Sequence, residues 1–421
     1  MEYHRPVPAP TFPWLLGSRS YTFLATARVC FILAMQVQAV SVGWLVYELT
    51  GDPLALGLVG LAEAVPALGL ALFAGWIVDR GSPLATYRLA LACSAASALL
   101  ILCAVPFRAG WPPGAALGAI YLASVVTGVA RAFIMPSQFA LLPRVVARAR
   151  LGKAIAWNSS LMQAAFLGGP PLGGALLAVV GAPRTFLVVV ALVGVVLVAT
   201  AGVTLLPGAR RPAPSGDEPP LANLTLGVRY VWNRQVILAA MALDMFAVLF
   251  GGVTALLPVF ARDVFAGGPV TLGVLRGALP CGSLLMGWWL IRHPVTRLTG
   301  RALLAAVLGF GACMIGFGLS GSLSLSLLLL AGAGACDCLS MVMRHTILQL
   351  STPEALRGRV AAVNSMFIGS SNELGAFESG VAARLLGTRA SVVFGGLMTL
   401  LVVAVTWRRA PRLRRLELSR L

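Results

Sequence analysis

Long apolar runs alternate with short polar breaks along the whole chain. Runs of about 20 residues are long enough to cross a bilayer as helices. They centre near Leu33, Leu68, Ala95, Ser124, Phe166, Leu192, Val248, Leu284, Leu308, Leu330, Ser371 and Thr399. This pattern predicts an all-α polytopic membrane protein with twelve transmembrane helices. One break differs from the rest. "PGARRPAPSGDEPP", from Pro207 to Pro220, is polar and Pro-rich, as flexible linkers are. It divides the chain into an N-terminal half (1–206), a linker (207–232) and a C-terminal half with a basic tail (233–421).

Composition agrees with the pattern. Of 421 residues, 58% are hydrophobic and 11% charged, where a soluble domain has about 25% charged. The formal net charge of +18 raises the question of nucleic acid, and the placement of the charge answers it. With the N-terminus inside, the outer loops hold only Arg108, Arg184, Arg262, Arg384 and Arg389, and nearly all other basic residues fall on the cytoplasmic side. That is the positive-inside bias of a membrane protein, and it predicts both termini in the cytoplasm and no nucleic-acid partner. The Pro-rich first 18 residues lack the basic-then-apolar order of a cleavable signal. The seven cysteines lie in apolar segments and read as packing residues, and the three histidines are scattered. No metal site or cofactor is implied. A membrane-embedded enzyme would need a nucleophile–base set or metal ligands in the spans. Neither H-E-x-x-H nor G-x-S-x-G occurs, and no phosphate loop marks an ATP-driven pump.

The two halves repeat. "GWIVDR" (Gly75–Arg80) and "GWWLIR" (Gly287–Arg292) begin 212 positions apart. "AIAWNSS" around Asn158 and "VAAVNSM" around Asn364 are 206 apart, as are Arg131 in "GVAR" and Asp337 in "GACD". Matches in the same relative places predict two parallel six-helix repeats.

These motifs resemble those of the major facilitator superfamily. "GWIVDR" is similar to the start of the family's G-x-x-x-D-R/K loop motif, although "GSPLATYR" stands where the usual basic cluster follows. The resemblance implies that Gly75, Asp79 and Arg80 belong to a cytoplasmic latch. Gly75 would allow close helix packing. Asp79 would face the start of the helix opening at "STPEALRGR", with Thr352 as its N-cap and Arg357 and Arg359 as ion-pair partners. "GPPLGG" (Gly169–Gly174) resembles the fifth-helix motif of family antiporters, with Ala156 and Ala165 in place of two upstream glycines. It implies tight packing through Gly169, Gly173 and Gly174, a bend at Pro170, and export coupled to proton entry; plain helix packing is the alternative. "RGRVAAVNSMFIGSSNELGAFESG" (Arg357–Gly380), with "LDMFAVLFGG" and "LPRVV", resembles a bacterial subgroup that includes enterobactin-type siderophore exporters. The subgroup's usual Glu after "SNELG" is Ala376 here.

Ionisable side chains inside the spans are costly and mark function by default. The proton or substrate candidates are Arg28, Glu63, Arg131, Asp244, Asp337, Glu373 and Glu378, with Arg276 beside them. In the resembled fold the first, fourth, seventh and tenth helices line the cavity, and these carry Arg28, Arg131, Asp244 and Asp337, each expected 7–9 residues from a cytoplasmic helix end. Two pairings are open: Arg131 with Asp337 across the halves, or Arg131 with Glu63 inside one half. Arg276 is a candidate partner for Glu378. Glu373 and Glu378, five apart, point about 140° from each other and do not form one site.

The sequence thus reads as a monomeric secondary transporter of the bacterial cytoplasmic membrane, exporting a drug-like or siderophore-like small molecule against protons by alternating access. A proton-coupled importer or facilitator of the same fold is the alternative.

Overall fold

The computed structural model describes residues 19–104, 113–206, 220–293 and 299–416. Its helices in order are α1 (Arg19–Thr50), α2 (Pro53–Arg80), α3 (Pro83–Ala104), α4 (Pro113–Val145), α5 (Leu151–Ala201), α6 (Pro220–Trp232), α7 (Gln235–Gly251), the single turn α8 (Leu257–Val259), α9 (Pro269–Arg292), α10 (Gly300–Leu319), α11 (Leu323–Ser351), α12 (Arg357–Leu386), α13 (Thr388–Arg409) and the short α14 (Pro411–Arg414). Ten segments are long and apolar enough to cross a membrane.

Two features bear on that number. The 51 residues of α5 would extend about 76 Å at 1.5 Å per residue, more than twice a hydrocarbon core of about 30 Å. The helix is broken in the middle, where Gly181 takes φ 77°. A β-carbon disfavours that conformation, so glycine serves. Gly387, 206 positions later, does the same at φ 89° between α12 and α13. Pro170 and Pro171, in contrast, lie inside continuous helix, and the expected bend falls at Gly181 instead. The second feature is α12, which is long enough to span but too polar to count among the ten, because "GSSNEL" and "FES" interrupt it.

The helices form two bundles. In the first, α1 packs on α5, and α4 on α2 and α3; in the second, α9 packs on α11, α10 on α13 and α11, and α7 on α12 and α13. Two seams join the bundles: α2 against α12, and α5 against α9. The first part of the expected linker, 207–219, lies outside the described residues. The rest, 220–232, is the helix α6, docked on α12. There Val231 is buried with Val360 and Leu348, and Tyr230 donates to the Ser351 carbonyl at 3.0 Å.

The seams are tight at one end only. In the first, a Cβ on Gly57 would stand 3.2 Å from the Phe377 Cα, and one on Gly380 3.0 Å from the Gly57 Cα. In the second, a Cβ on Gly273 would stand 2.7 Å from the Pro170 carbonyl oxygen. At the other end of the same four helices, Gly75, Gly152, Gly287 and Gly358 have open space around them. The bundles therefore touch at the end bearing Tyr47 and splay at the end bearing Asp79.

Candidate functional site: a charge bridge between the bundles

Arg131 stands 14 residues before the end of α4, a depth of about 21 Å. Its guanidinium meets Glu63 of α2 at 3.2 Å and Glu373 of α12 at 2.9 Å. The first contact lies inside one bundle and the second crosses to the other. A fork of five N–H donors suits two carboxylates at once. The Arg131 side chain keeps 42% of its surface exposed, against 21% and 16% for the two acids. It therefore stands in an open cavity and not in a packed core. Close helix contact makes the geometry: a Cβ on Gly128 would stand 2.7 Å from the Pro66 ring, which brings α4 onto α2 one turn from Glu63. Arg276 of α9 lies within electrostatic range of Glu63 and points toward Gly43 of α1, where a Cβ would stand 3.6 Å from its Nη2. Four helices thus aim charge at one region, two from each bundle.

This arrangement bears on three expectations. Of the two open pairings for Arg131, the structure has the one with Glu63 and not the one with Asp337, and it adds Glu373, because α12 reaches α2 and the neighbouring α4 before α11 does. Arg276 is directed to Glu63 and not to Glu378. Arg131 and Asp337 each lie 14 residues from their helix ends, deeper than the 7–9 expected, because α4 and α11 run on past the apolar stretch. Asp337 forms no ion pair among the described residues and is only partly buried. Glu378 lies farther along α12 and joins none of these charges.

Arg28 and Asp244 turn inward within their own bundles. Each is the tenth residue of its helix, α1 and α7. Arg28 donates to the Gln138 carbonyl on α4, and the Gln138 amide donates to the Tyr87 hydroxyl at 3.2 Å. Asp244 forms a buried ion pair with Arg344 on α11. Gln138 and Arg344 are themselves 206 positions apart. The two contacts occupy corresponding places in the two bundles, polar in one and ionic in the other. Arg344 was missed in the sequence, where the end of the apolar run placed it in a cytoplasmic loop. The helix continues seven residues beyond it and buries it.

At the Tyr47 end polar contacts tie the bundles together, among them a bond from the Arg262 Nη1 to the Tyr47 carbonyl at 3.4 Å. The Tyr47 hydroxyl donates to Asp263, with Arg262 over the Tyr47 ring at 5.7 Å. Asp52 pairs with Arg384 at 3.3 Å. Asp263 sits on a π-helical turn (Phe260–Val264) after a break following Gly251. Such turns re-aim side chains and recur at functional positions. Loop charges of this kind carry no sequence signal before their partners are known.

Two members of the expected latch have contacts close by in the chain. Arg80 lies over the Trp76 ring at 4.5 Å, and the Arg357 Nε donates to the Thr352 carbonyl at 3.3 Å. The side chain of Asp79 lies outside the described residues. Gly75 makes no close contact, since the bundles are apart at this end. Thr352 ends α11 and does not cap α12; Pro353 opens the 3₁₀ turn that precedes it. The glycine motif on α5 does pack tightly. A Cβ on Gly169 would stand 2.6 Å from the Gln36 Cβ, and one on Gly173 3.0 Å from the Val37 Cα, both on α1. A Cβ on Gly174 would stand 3.0 Å from the Gly273 Cα across the seam. Ala376, where the resembled subgroup has Glu, faces Gly60, whose added Cβ would stand 2.9 Å from it; that contact leaves no room for a carboxylate.

Two helical bundles that meet at two seams, with charged side chains between them, fit a membrane transporter. The family model "Major Facilitator Superfamily" matches residues 24–376, and the chain belongs to that family. It is a multi-span membrane transport protein and not an enzyme. Among curated relatives, it is 26% identical over 398 residues to the "Multidrug efflux pump Tap" of Mycobacterium tuberculosis, covering 91% of each chain. It is 29% identical to the Tap pump of Mycolicibacterium fortuitum, covering 91% of this chain and 93% of that one. It is 25% identical over 311 residues to the "Enterobactin exporter EntS" of Escherichia coli O1:K1 / APEC, covering 71% and 73%. Among solved structures, a POT family transporter in complex with a thioalcohol-conjugated peptide superposes with TM-score 0.74 at 12% identity, over 94% of this chain and 97% of that one. The D-xylose-proton symporter superposes with TM-score 0.70 at 12% identity, over 94% and 98%. At that identity the likeness is one of fold.

Proposed function

We propose that this chain is a proton-coupled exporter of a drug-like or siderophore-like small molecule, working as a monomer by alternating access in the bacterial cytoplasmic membrane. In this reading the chain crosses the membrane twelve times. The two limbs of α5 and the polar α12 count as spans, each half is one of two parallel repeats, and both termini and the Asp79 end face the cytoplasm. The state described above is then the inward-open one. The resemblance to Tap and EntS, both named as exporters, supports the direction.

The observation that carries the coupling is the position of Arg131 between Glu63 and Glu373. Glu373 is held only while it is ionised. When the site is open to the outside, a proton taken up by Glu373 removes its charge, leaves Arg131 on Glu63 alone and displaces substrate held by the same groups. When the site is open to the cytoplasm the proton leaves, and a substrate can then compete for the ionised carboxylates and Arg131. Proton and substrate thus use the same carboxylates in turn, the requirement for antiport. The glycine contacts of α5 with α1 and α9 keep the other seam close-packed as the bundles rock, and the Asp79 loop closes the cytoplasmic end.

The test is accumulation in inverted membrane vesicles from cells with and without the protein, over a panel of siderophores, dyes and antibiotics. Antiport predicts uptake into these vesicles when the interior is acid, abolished by a protonophore. Loss of preloaded substrate driven by the same gradient would instead identify a symporter.

A further inference from the structure

The repeated "GW…R" segments hold a contact that no transport step uses. In each, Trp and Arg are four residues apart, one helical turn, and face each other. Arg80 lies over Trp76 at 4.5 Å, and Arg292 over Trp288 at 3.6 Å. Trp289 stacks on His293 in the same register, with centroids 4.3 Å apart. The residues around them face outward and are apolar: Phe73 and Ile77 on α2, Leu284, Leu285 and Ile291 on α9. Trp with an apolar body and a polar edge settles at the headgroup level of a bilayer. A guanidinium that stacks through its face keeps its N–H edge free, and that edge fits a phosphate.

The two segments differ at one place. Ile291 stands four residues after Gly287, where Asp79 stands four after Gly75. Among the acids with described side chains, Glu354 stands at this end of the molecule; it and the α2 position of Asp79 both belong to the seam of α2 and α12. Among the described residues, the charged ones that end α9 and open α5 are basic. Arg292 ends α9, Arg150 and Lys153 open α5, and Lys153 stands one turn before Trp157. Gly152 and Gly287 leave both helix surfaces open. Like charges on two surfaces that must approach each other oppose closure.

We propose that the α9–α5 seam at this end is a docking surface for the headgroup of an anionic phospholipid. The lipid phosphate lies between Arg292 and Lys153 and supplies the negative charge that Asp79 carries in the first seam. Trp288 and Ile291 seat its glycerol and acyl region. Anionic lipid of the cytoplasmic leaflet concentrates at such basic surfaces. The placement rests on the reading of the Asp79 end as cytoplasmic.

The experiment is hydrogen–deuterium exchange on the whole protein in nanodiscs of phosphatidylcholine alone and with added phosphatidylglycerol. In the unsubstituted protein, phosphatidylglycerol slows exchange several-fold at the start of α5 and the end of α9. Arg292→Gln loses that slowing, and Ile291→Asp shows it already in phosphatidylcholine. Ile291 is 83% exposed and Trp288 59%, so substitutions there leave the packing intact. Equal exchange in both lipids would overturn the proposal, as would a lipid effect that persists in Arg292→Gln combined with Trp288→Ala. The readout involves neither substrate nor a proton gradient, so its failure is separate from failure of proton-coupled export.

Discussion

Arg131 and Glu373 lie 2.9 Å apart and belong to different bundles. This contact joins α4 to α12 between the bundles. In the proposed cycle a fixed ion pair here would oppose the rocking of one bundle against the other, so the pair opens and closes in each turn. Arg131→Lys keeps the charge and gives up the fork that reaches two carboxylates. Its expected effect is a loss of transport of about tenfold to a hundredfold, as for removing an interaction of about 1.4–3 kcal/mol. Transport rates in cells, normalised to the amount of folded protein, check it. Unchanged rates would mean that one carboxylate suffices.

Asp244 and Arg344 set up a different expectation. Their pair is buried inside one bundle and serves structure. Asp244→Ala leaves Arg344 buried without its partner, which costs about 3–5 kcal/mol. Replacing both, Asp244→Leu with Arg344→Met, removes both charges and is expected to restore most of that stability. Unfolding temperature in detergent measures both. A double variant as unstable as the single one would mean that the pair does more than neutralise itself.

The tie at the Tyr47 end divides unequally. Asp52 and Arg384 are largely exposed, and such pairs contribute about 0–1 kcal/mol. Arg384→Gln is therefore expected to change transport little. Tyr47→Phe removes the bond to Asp263 that closes this end and is expected to shift the population toward the outward-open state. Accessibility of a Cys in place of the buried Ser379, beside Gly380 of the α2–α12 seam, to an impermeant thiol reagent added from outside, in a background otherwise free of cysteine, would rise in Tyr47→Phe and not in Arg384→Gln. The reverse order would place the outer gate at Asp52.

Much of this was legible before any coordinates. Apolar run length reports a bilayer directly, so an all-helical chain that crosses a membrane many times could be read as pattern. The glycines of α5 could be read because close helix packing admits few other residues. The partners of the charges could not, since pairing depends on helix rotation and on which helix crosses which. Arg131 was visible as a costly charge, but only the crossing of α12 over α2 brings Glu373 to it. Arg344 was hidden because hydropathy marks where a membrane ends and not where a helix ends. The Trp76–Arg80 and Trp288–Arg292 contacts lie in plain view as a repeated spacing, but spacing alone marks duplication and not the stacking of the two side chains.

The central claim is that Glu373 alternates between holding Arg131 and holding a proton. Glu373→Gln tests it most directly, since the amide keeps the shape but neither carries the charge that pairs with Arg131 nor takes up and releases a proton. In inverted vesicles the account predicts that this variant no longer accumulates substrate against its gradient when the interior is acid, while downhill exchange of labelled for unlabelled substrate continues. Accumulation driven by the proton gradient at the rate of the unsubstituted protein would contradict it.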